Sequence, residues 1–222
     1  MPNSAPTIAE GSKQLAAAAA GQLPPEVLAT FGALTQRLRE AGVPAGVAAP
    51  GSHVADVDLL DAHGNPTSLY QVTDGRAAVI VLYRGVWCPY CNLALKQYSE
   101  HLPEPLAERD ITLVAVSPQK PDGSLSMQEK NDLAFPVVSD PGNSLAKQLG
   151  VLMPSVGEDV LTAQRQLGLD VMKANADGTE YLPMPTVALI DSDHQLRWID
   201  VHPDFTTRTE VDEVLHAVEA LM

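Results

Sequence analysis

Cysteine is scarce in this chain: two residues in 222, Cys88 and Cys91, only three positions apart. That excludes a small disulfide-stapled scaffold and leaves too few thiolates for a cysteine-based metal centre. Long apolar runs are missing too. The longest, Ala77 to Tyr83, is far below the roughly 20 residues a spanning helix needs, so no membrane segment is expected. Basic residues are few, 14 against 28 acidic, for a formal net charge of −14. A surface so negative repels phosphate backbones, which makes nucleic acid a poor partner. The N-terminus has no early positive charge and no secretory core, so a cytoplasmic address is expected. No internal repeat is present, and the only low-complexity stretch, Ala16 to Ala20, reads as a surface helix.

The order of elements predicts an α/β fold. Residues 1–22, with Pro2, Pro6, Gly11 and Gly21, read as a leader that is partly helical at best. Pro25 opens a clearer helix with Val27, Leu28, Phe31, Leu34 and Leu38 on one face, stopped by Gly42 and Pro44. This helix packs on its own domain or, alternatively, forms a homodimer contact. Gly46 to Gly51 reads as a linker, so residues 1–45 form an N-terminal helical extension and 46–222 the main domain. A short hairpin is expected over 56–69 and buried strands at Ala77–Tyr83 and Ile111–Ser117. Helices are expected at Pro89–His101, Ser126–Leu133, Asn143–Leu149 and Glu158–Gly168, with a short strand at Val137–Val138. Strands Thr186–Ile190 and Leu196–Val201 then form an antiparallel pair, and Thr209 caps a last helix. The result is a mixed central sheet with helices on both faces, fed by βαβ crossovers.

The chemistry concentrates in Trp87-Cys88-Pro89-Tyr90-Cys91, between a buried strand and a helix. A cysteine in the first helical turn lies near unpaired backbone N–H groups and the positive end of the helix dipole. Both favour thiolate over thiol, so Cys88 is expected to be the ionised nucleophile. Cys91, one turn deeper on the same face, is placed to attack an adduct on Cys88 and close a disulfide. Pro89 suits the first turn, where a missing N–H costs little. A metal site needs about four ligands, and His53, His63, His101, His194, His202 and His216 are scattered without ligand spacing, so no metal or other cofactor is expected. A structural disulfide and a pair of inert buried thiols are the remaining, weaker readings.

A second feature is Met184-Pro185-Thr186, at the start of an apolar strand. X-Pro is where a cis peptide is cheap, and a cis Met184–Pro185 bond would hold the Met184 backbone beside the cysteines, free to pair with an extended substrate chain. An ordinary trans proline entering a strand is the alternative. Arg84 supplies a cation near Cys88 or is a solvated strand-end charge. Thr186 offers a hydroxyl or is simply a β-branched strand residue.

These two motifs together resemble the thioredoxin fold, and the Cys-Pro-Tyr-Cys letters resemble glutaredoxins. Over residues 46–222 the chain resembles peroxiredoxin-like members of the alkyl hydroperoxide reductase/thiol-specific antioxidant (AhpC/TSA) family. The matching stretches are Ala49 to Gly51, Leu59 to Asp61, Tyr83 to Asn92, Val114 to Ser117, Val138 to Asp140, Val187 to Asp191 and Asp204 to Arg208. The resemblance implies an antioxidant thiol enzyme that reduces hydroperoxides and is recycled by a thioredoxin-like or low-molecular-weight thiol donor. The chain departs from the family where a threonine or serine normally stands three residues before the attacking cysteine and a proline seven before, positions held here by Gly85 and Val81. The usual active-site arginine falls near Pro185. Two enzymatic readings therefore stand: a thiol peroxidase in which Cys88 attacks the peroxide and Cys91 resolves it, and a thiol–disulfide oxidoreductase acting through the same pair. A redox sensor that only switches an interface is a third. Trp87, Pro89, Tyr90, Arg84, Met184, Pro185 and Thr186 are the expected substrate-binding residues.

Overall fold

The apolar runs marked as buried strands lie at the centre of one seven-stranded sheet in the computed structural model, which describes residues 7–221. Its strands are β1 (Asp58–Leu60), β2 (Pro66–Ser68), β3 (Ala77–Leu82), β4 (Ile111–Ser117), β5 (Val137–Ser139), β6 (Thr186–Ile190) and β7 (Leu196–Val201). They are arranged in the order β2-β1-β5-β4-β3-β6-β7. Strands β3, β4 and β5 run parallel, whereas β6 pairs antiparallel with both β3 and β7. The mixed sheet and closing hairpin agree with the sequence reading. Its helices are α1 (Ile8–Gln22), α2 (Pro25–Ala41), α3 (Leu69–Thr73), α4 (Pro89–His101), α5 (Pro103–Ala107), α6 (Pro121–Asn131), α7 (Ser144–Gln148), α8 (Glu158–Gln166), α9 (Val171–Ala174) and α10 (Val211–Glu219).

Alternation along β3 divides the interior in two, because successive side chains leave a strand on opposite faces. Ala78, Ile80 and Leu82 join Leu34 and Leu38 of α2, Leu145 of α7 and Val160 of α8. Val79, Val81 and Tyr83 join Leu95 and Tyr98 of α4, Met127 of α6, and Val214 and Val218 of α10. Both cysteines belong to this second core. The chemistry-bearing pair is thus set at the carboxyl end of the central strand, beneath the start of α4.

The N-terminal segment differs from the expected leader. Among the described residues, α1 is a full 15-residue helix opened by a Thr7–Glu10 capping box; Pro2 and Pro6 lie outside them. Three observations explain its order. Ile8 is buried in the second core. The Glu210 carboxylate accepts from the Ile8 and Ala9 amides at 2.9 and 2.7 Å, tying the start of α1 to the start of α10. Gly11 lets α1 approach Leu93 so closely that a Cβ there would lie 2.8 Å from its Cδ2. None of these partners is adjacent in sequence, so a local reading could not weigh them.

Helix α2 starts and stops where proline and glycine place it: Pro25 fills the first turn, and Gly42 ends it at φ 67. Its buried Val27, Leu34 and Leu38 pack within the same chain. A Leu34→Ala substitution is expected to cost about 2–5 kcal/mol, read as a lower urea midpoint. The segment 46–51 is docked, not a free linker. Ala48 N–H donates to Leu149 O at 3.0 Å and Gly51 N–H to Leu196 O at 2.7 Å.

Two helix boundaries also moved. Pro121 begins α6 earlier than expected, and Asp132, left-handed at φ 51, ends it. The cap of α10 is Glu210, reciprocated by Glu213. Thr209 is instead buried, and its hydroxyl donates to Asp200 Oδ2 at 2.8 Å.

Candidate active site

Between the end of β3 and the start of α4 the chain makes a short connection, Tyr83 to Trp87, braced from its neighbours. The Gln119 side chain bridges it, with Oε1 accepting from Val86 N–H at 2.9 Å and Nε2 donating to the Tyr83 hydroxyl at 2.8 Å. Asn92 Nδ2 donates to Val86 O and Cys88 O at 2.7 and 2.8 Å. Cys88 then takes the N-cap position and Pro89 the first turn of α4, as the spacing predicted.

Gly85 explains one departure from the family pattern. Its φ is 153, and a Cβ built there would lie 2.9 Å from Cε2 of the Trp87 indole. A threonine or serine therefore has no room at this position. Gly85→Ala is expected to displace Trp87 and lower stability by about 1–3 kcal/mol through overpacking, with a shift in tryptophan emission as the direct readout.

Both sulfurs are buried and reduced, with Arg208 beside them: its Nη2 is 3.0 Å from Cys91 Sγ and 3.7 Å from Cys88 Sγ. Burial pushes the Cys88 thiol well up, and its hydrogen bond to Cys91 pushes it further. Burial works against ionisation at Cys91 as well. There the hydrogen bond from Cys88 and the Arg208 charge prevail, helped by the Arg84 backbone N–H, and hold this thiol well below its ordinary value. The pair therefore favours one shared negative charge beside Arg208, with the deeper sulfur the more acidic of the two. The sequence reading expected Cys88 to be the more readily ionised sulfur; here the direction of the shifts favours Cys91. The helix N-terminus is present, but a guanidinium lies closer to the deeper sulfur, and a full charge in a dry site outweighs the partial charge of a helix end.

The two cysteines open onto different spaces. Cys88 lines a cavity of 540 Å³ together with Arg84, Trp87, Pro89 and Tyr90. Cys91 lines a void of only about 10 Å³ with Arg208, Pro185 and Thr186. Arg84 is buried, not solvated, with its guanidinium carbon 4.4 Å from the Phe205 ring centre and 4.9 Å from that of Trp87. Those are cation–π distances, and Arg84 Nε has no hydrogen-bond partner.

The expectation for Met184 fails. No peptide bond among the described residues is cis, so Met184–Pro185 is trans. Met184 packs in the opposite core, its N–H donates to Val151 O at 2.8 Å, and its carbonyl accepts from the Thr186 hydroxyl at 2.9 Å. With both backbone groups engaged inside the fold, Met184 offers no edge to an extended substrate. Pro185 and Thr186 do lie behind Cys91, as part of its enclosure.

Sequence reasoning missed Arg208, Gln119 and Asn92. Arg208 lies 117 residues from Cys91, and only its place in the stretch Asp204 to Arg208 hinted at it. Its guanidinium is aimed by the local turn, with Nη1 donating to Phe205 O at 2.7 Å. Among the described residues no cluster of histidine, cysteine and carboxylate side chains is suited to a metal ion, and no helix is long and apolar enough to cross a membrane.

Comparison with known proteins gives a consistent picture. Two Mycobacterium tuberculosis proteins that carry peroxiredoxin names are each 27% identical over 101 residues, which is 46% of this chain. The chain spans 63% of those relatives' own length. Among solved structures, peroxidoxin BcpB from Mycobacterium tuberculosis superposes with a TM-score of 0.59 at 20% identity, over 78% of this chain and 97% of that one. A peroxiredoxin-like protein from Aquifex aeolicus gives 0.61 at 17% identity, over 80% and 90% of the two chains. At these identities the likeness establishes a thioredoxin-like fold. The sequence model of the AhpC/TSA family matches residues 50–199, which include β3, the cysteine pair and β6, and this chain belongs to the AhpC/TSA family.

Proposed function

We propose that the chain is a thiol-dependent peroxidase in which Cys88 attacks a hydroperoxide and Cys91 resolves the product. The observation that carries this reading is the unequal space beside the two buried cysteines: Cys88 lines the 540 Å³ cavity, whereas the void lined by Cys91 measures about 10 Å³, barely one water's room. The Cys91 thiolate accepts the Cys88 proton through their hydrogen bond as Cys88 attacks the O–O bond. Cys88 becomes a sulfenic acid, and the leaving alkoxide takes up the proton to depart as an alcohol. Cys91, again a thiolate, then attacks the sulfenic sulfur, an S–S bond forms, and hydroxide leaves as water after taking a proton. One hydroperoxide is reduced and two thiols become one disulfide. Arg208 and Arg84 favour the negative charge that moves through these steps. A thioredoxin-like or low-molecular-weight thiol donor returns the pair to the dithiol.

The disulfide-exchange reading shares the cysteines but finds less support, because such substrates dock as extended chains and the Met184 backbone is occupied. Stopped-flow oxidation of the reduced protein tests the proposal. Hydroperoxides should react with a second-order rate constant far above that of free cysteine, with two thiols lost per peroxide. A rate no faster than free cysteine overturns it.

A further inference from the structure

Arg208 reaches the cysteines from a short turn, Asp204 to Arg208, between β7 and α10. The turn is organised on Asp204. Its Oδ1 accepts from the Thr206 N–H at 2.9 Å and the Thr206 hydroxyl at 2.7 Å, and its carbonyl accepts from the Thr207 N–H at 3.0 Å. Phe205 gives its carbonyl to Arg208 Nη1 and sets its ring against Arg84. One turn thus aims the first arginine at Cys91 and packs against the second.

Asp204 is only 7% exposed, and its other oxygen meets α2. Arg39 Nε donates to Asp204 Oδ2 at 2.6 Å, a charge-assisted bond. Among the described residues no other cation lies within ion-pair distance of this carboxylate. A buried carboxylate stripped of its partner is strongly disfavoured, so Asp204 would swing toward water and carry the turn with it. The rest of the segment is held separately. His202 steadies its middle through Thr207 Oγ1 at 2.7 Å, the Tyr98 hydroxyl donates to Thr209 O at 2.7 Å, and Glu210 is tied to α1. Both α2 and the turn lie outside residues 50–199, which match the family. The two ends of the chain therefore meet beside the cysteine pair.

We infer that Arg39 is a positioning residue for the thiol pair: its grip on Asp204 fixes the turn that aims Arg208 at Cys91. Helix α2 is then part of the machinery that stabilises charge in the site. The role of Arg39 in catalysis rests on the peroxidase reading above, whereas its effect on the thiols can be read without any peroxide.

The test titrates the ultraviolet thiolate signal of the reduced full chain and measures its oxidation by hydrogen peroxide. In Arg39→Met the first thiolate step should move to higher pH, in the same direction as in Arg208→Met but less far, because a loosened guanidinium favours the thiolate less. Oxidation should slow about tenfold, within the roughly 10²-fold that an ångström of misplacement can cost. Arg39→Lys, which keeps a charge for Asp204, should recover most of both. Arg37→Met removes the same charge from the same helix, but the Arg37 guanidinium is bonded to Val156 O at 2.7 Å, so both readouts should keep their parent values. The other titratable groups around the pair are Tyr83, Tyr90, Tyr98, Arg84, the Asp200–His202 pair and Glu210, and every variant retains them. The deciding comparison places Arg39→Met in an Arg208→Met background, where an effect exerted through Arg208 disappears. A shift of equal size in that background reveals a direct field or a general loosening and overturns the inference. So does a first step that Arg39→Met leaves in place, or one that Arg37→Met moves as far. If no hydroperoxide oxidises the parent, the peroxidase reading falls, and the titrations still decide whether Arg39 aims Arg208.

Discussion

The Cys88→Ser protein is expected to consume no hydroperoxide, whereas Cys91→Ser is expected to react once and stop. Cys88 lines the large cavity, whereas Cys91 lines only the small void, so the loss of Cys88 removes the sulfur with room for a peroxide beside it, and the rate should fall to background. The outcome for Cys91→Ser is less obvious, because Cys91 shares the pair's negative charge and is the sulfur whose ionisation Arg208 favours most. With that sulfur gone, Arg208, 3.7 Å from Cys88 Sγ, faces a single sulfur. The Cys91 charge and hydrogen bond that push Cys88 up are also lost. The Cys88 thiol should therefore become more acidic than in the parent, and its first oxidation should persist. With no resolving thiol the product halts as a sulfenic acid, detectable by dimedone adduction and intact mass. A Cys91→Ser protein that hydroperoxide does not oxidise, or a Cys88→Ser protein that retains peroxidase activity, would reverse the assignment of roles.

Loss of Arg208 should have the second large effect. Arg208→Met keeps much of the side-chain volume and removes the charge 3.0 Å from Cys91 Sγ. Oxidation by hydroperoxide should slow on the order of 10²–10³-fold, the usual cost of removing one preorganised electrostatic partner. The pH dependence gives an independent readout. In the parent, the ultraviolet thiolate signal should rise in two steps. Both steps belong to the coupled pair: the first lies below the ordinary thiol range around pH 8.5 and the second well above it. A thiol whose ionised form is stabilised loses its proton at lower pH, so removing Arg208 must move the first step upward. Arg208→Lys should restore part of the shift through its charge but not the contacts of Nη1 with Phe205 O and Thr207 O. A titration that does not respond to Arg208→Met would leave the arginine a merely structural role.

The buried dithiol also shows why charge in this site is counted for the pair and not for each residue. Two thiols that share one proton behave as a unit. The helix N-terminus beside Cys88 and the Arg208 guanidinium beside Cys91 both act on that unit.

The residue order alone determined the sheet and its crossovers. Uninterrupted apolar runs such as Ala77–Leu82 and Ile111–Ser117 are buried on both faces, and that pattern is written in consecutive letters. It also determined where α4 begins, since Pro89 fits a first turn, and so which cysteine caps the helix and which lies one turn in. The tertiary structure alone decided the rest. It placed Arg208 against the cysteines, committed the Met184 backbone to Val151 and Thr186, and laid α1 across the fold through Ile8, Gly11 and Glu210. It thereby enclosed the cavity before Cys88. Local spacing specifies periodicity and caps, which act over a few residues. A guanidinium meeting a sulfur 117 residues away in sequence is settled only when the whole sheet has closed and burial has removed the water between them.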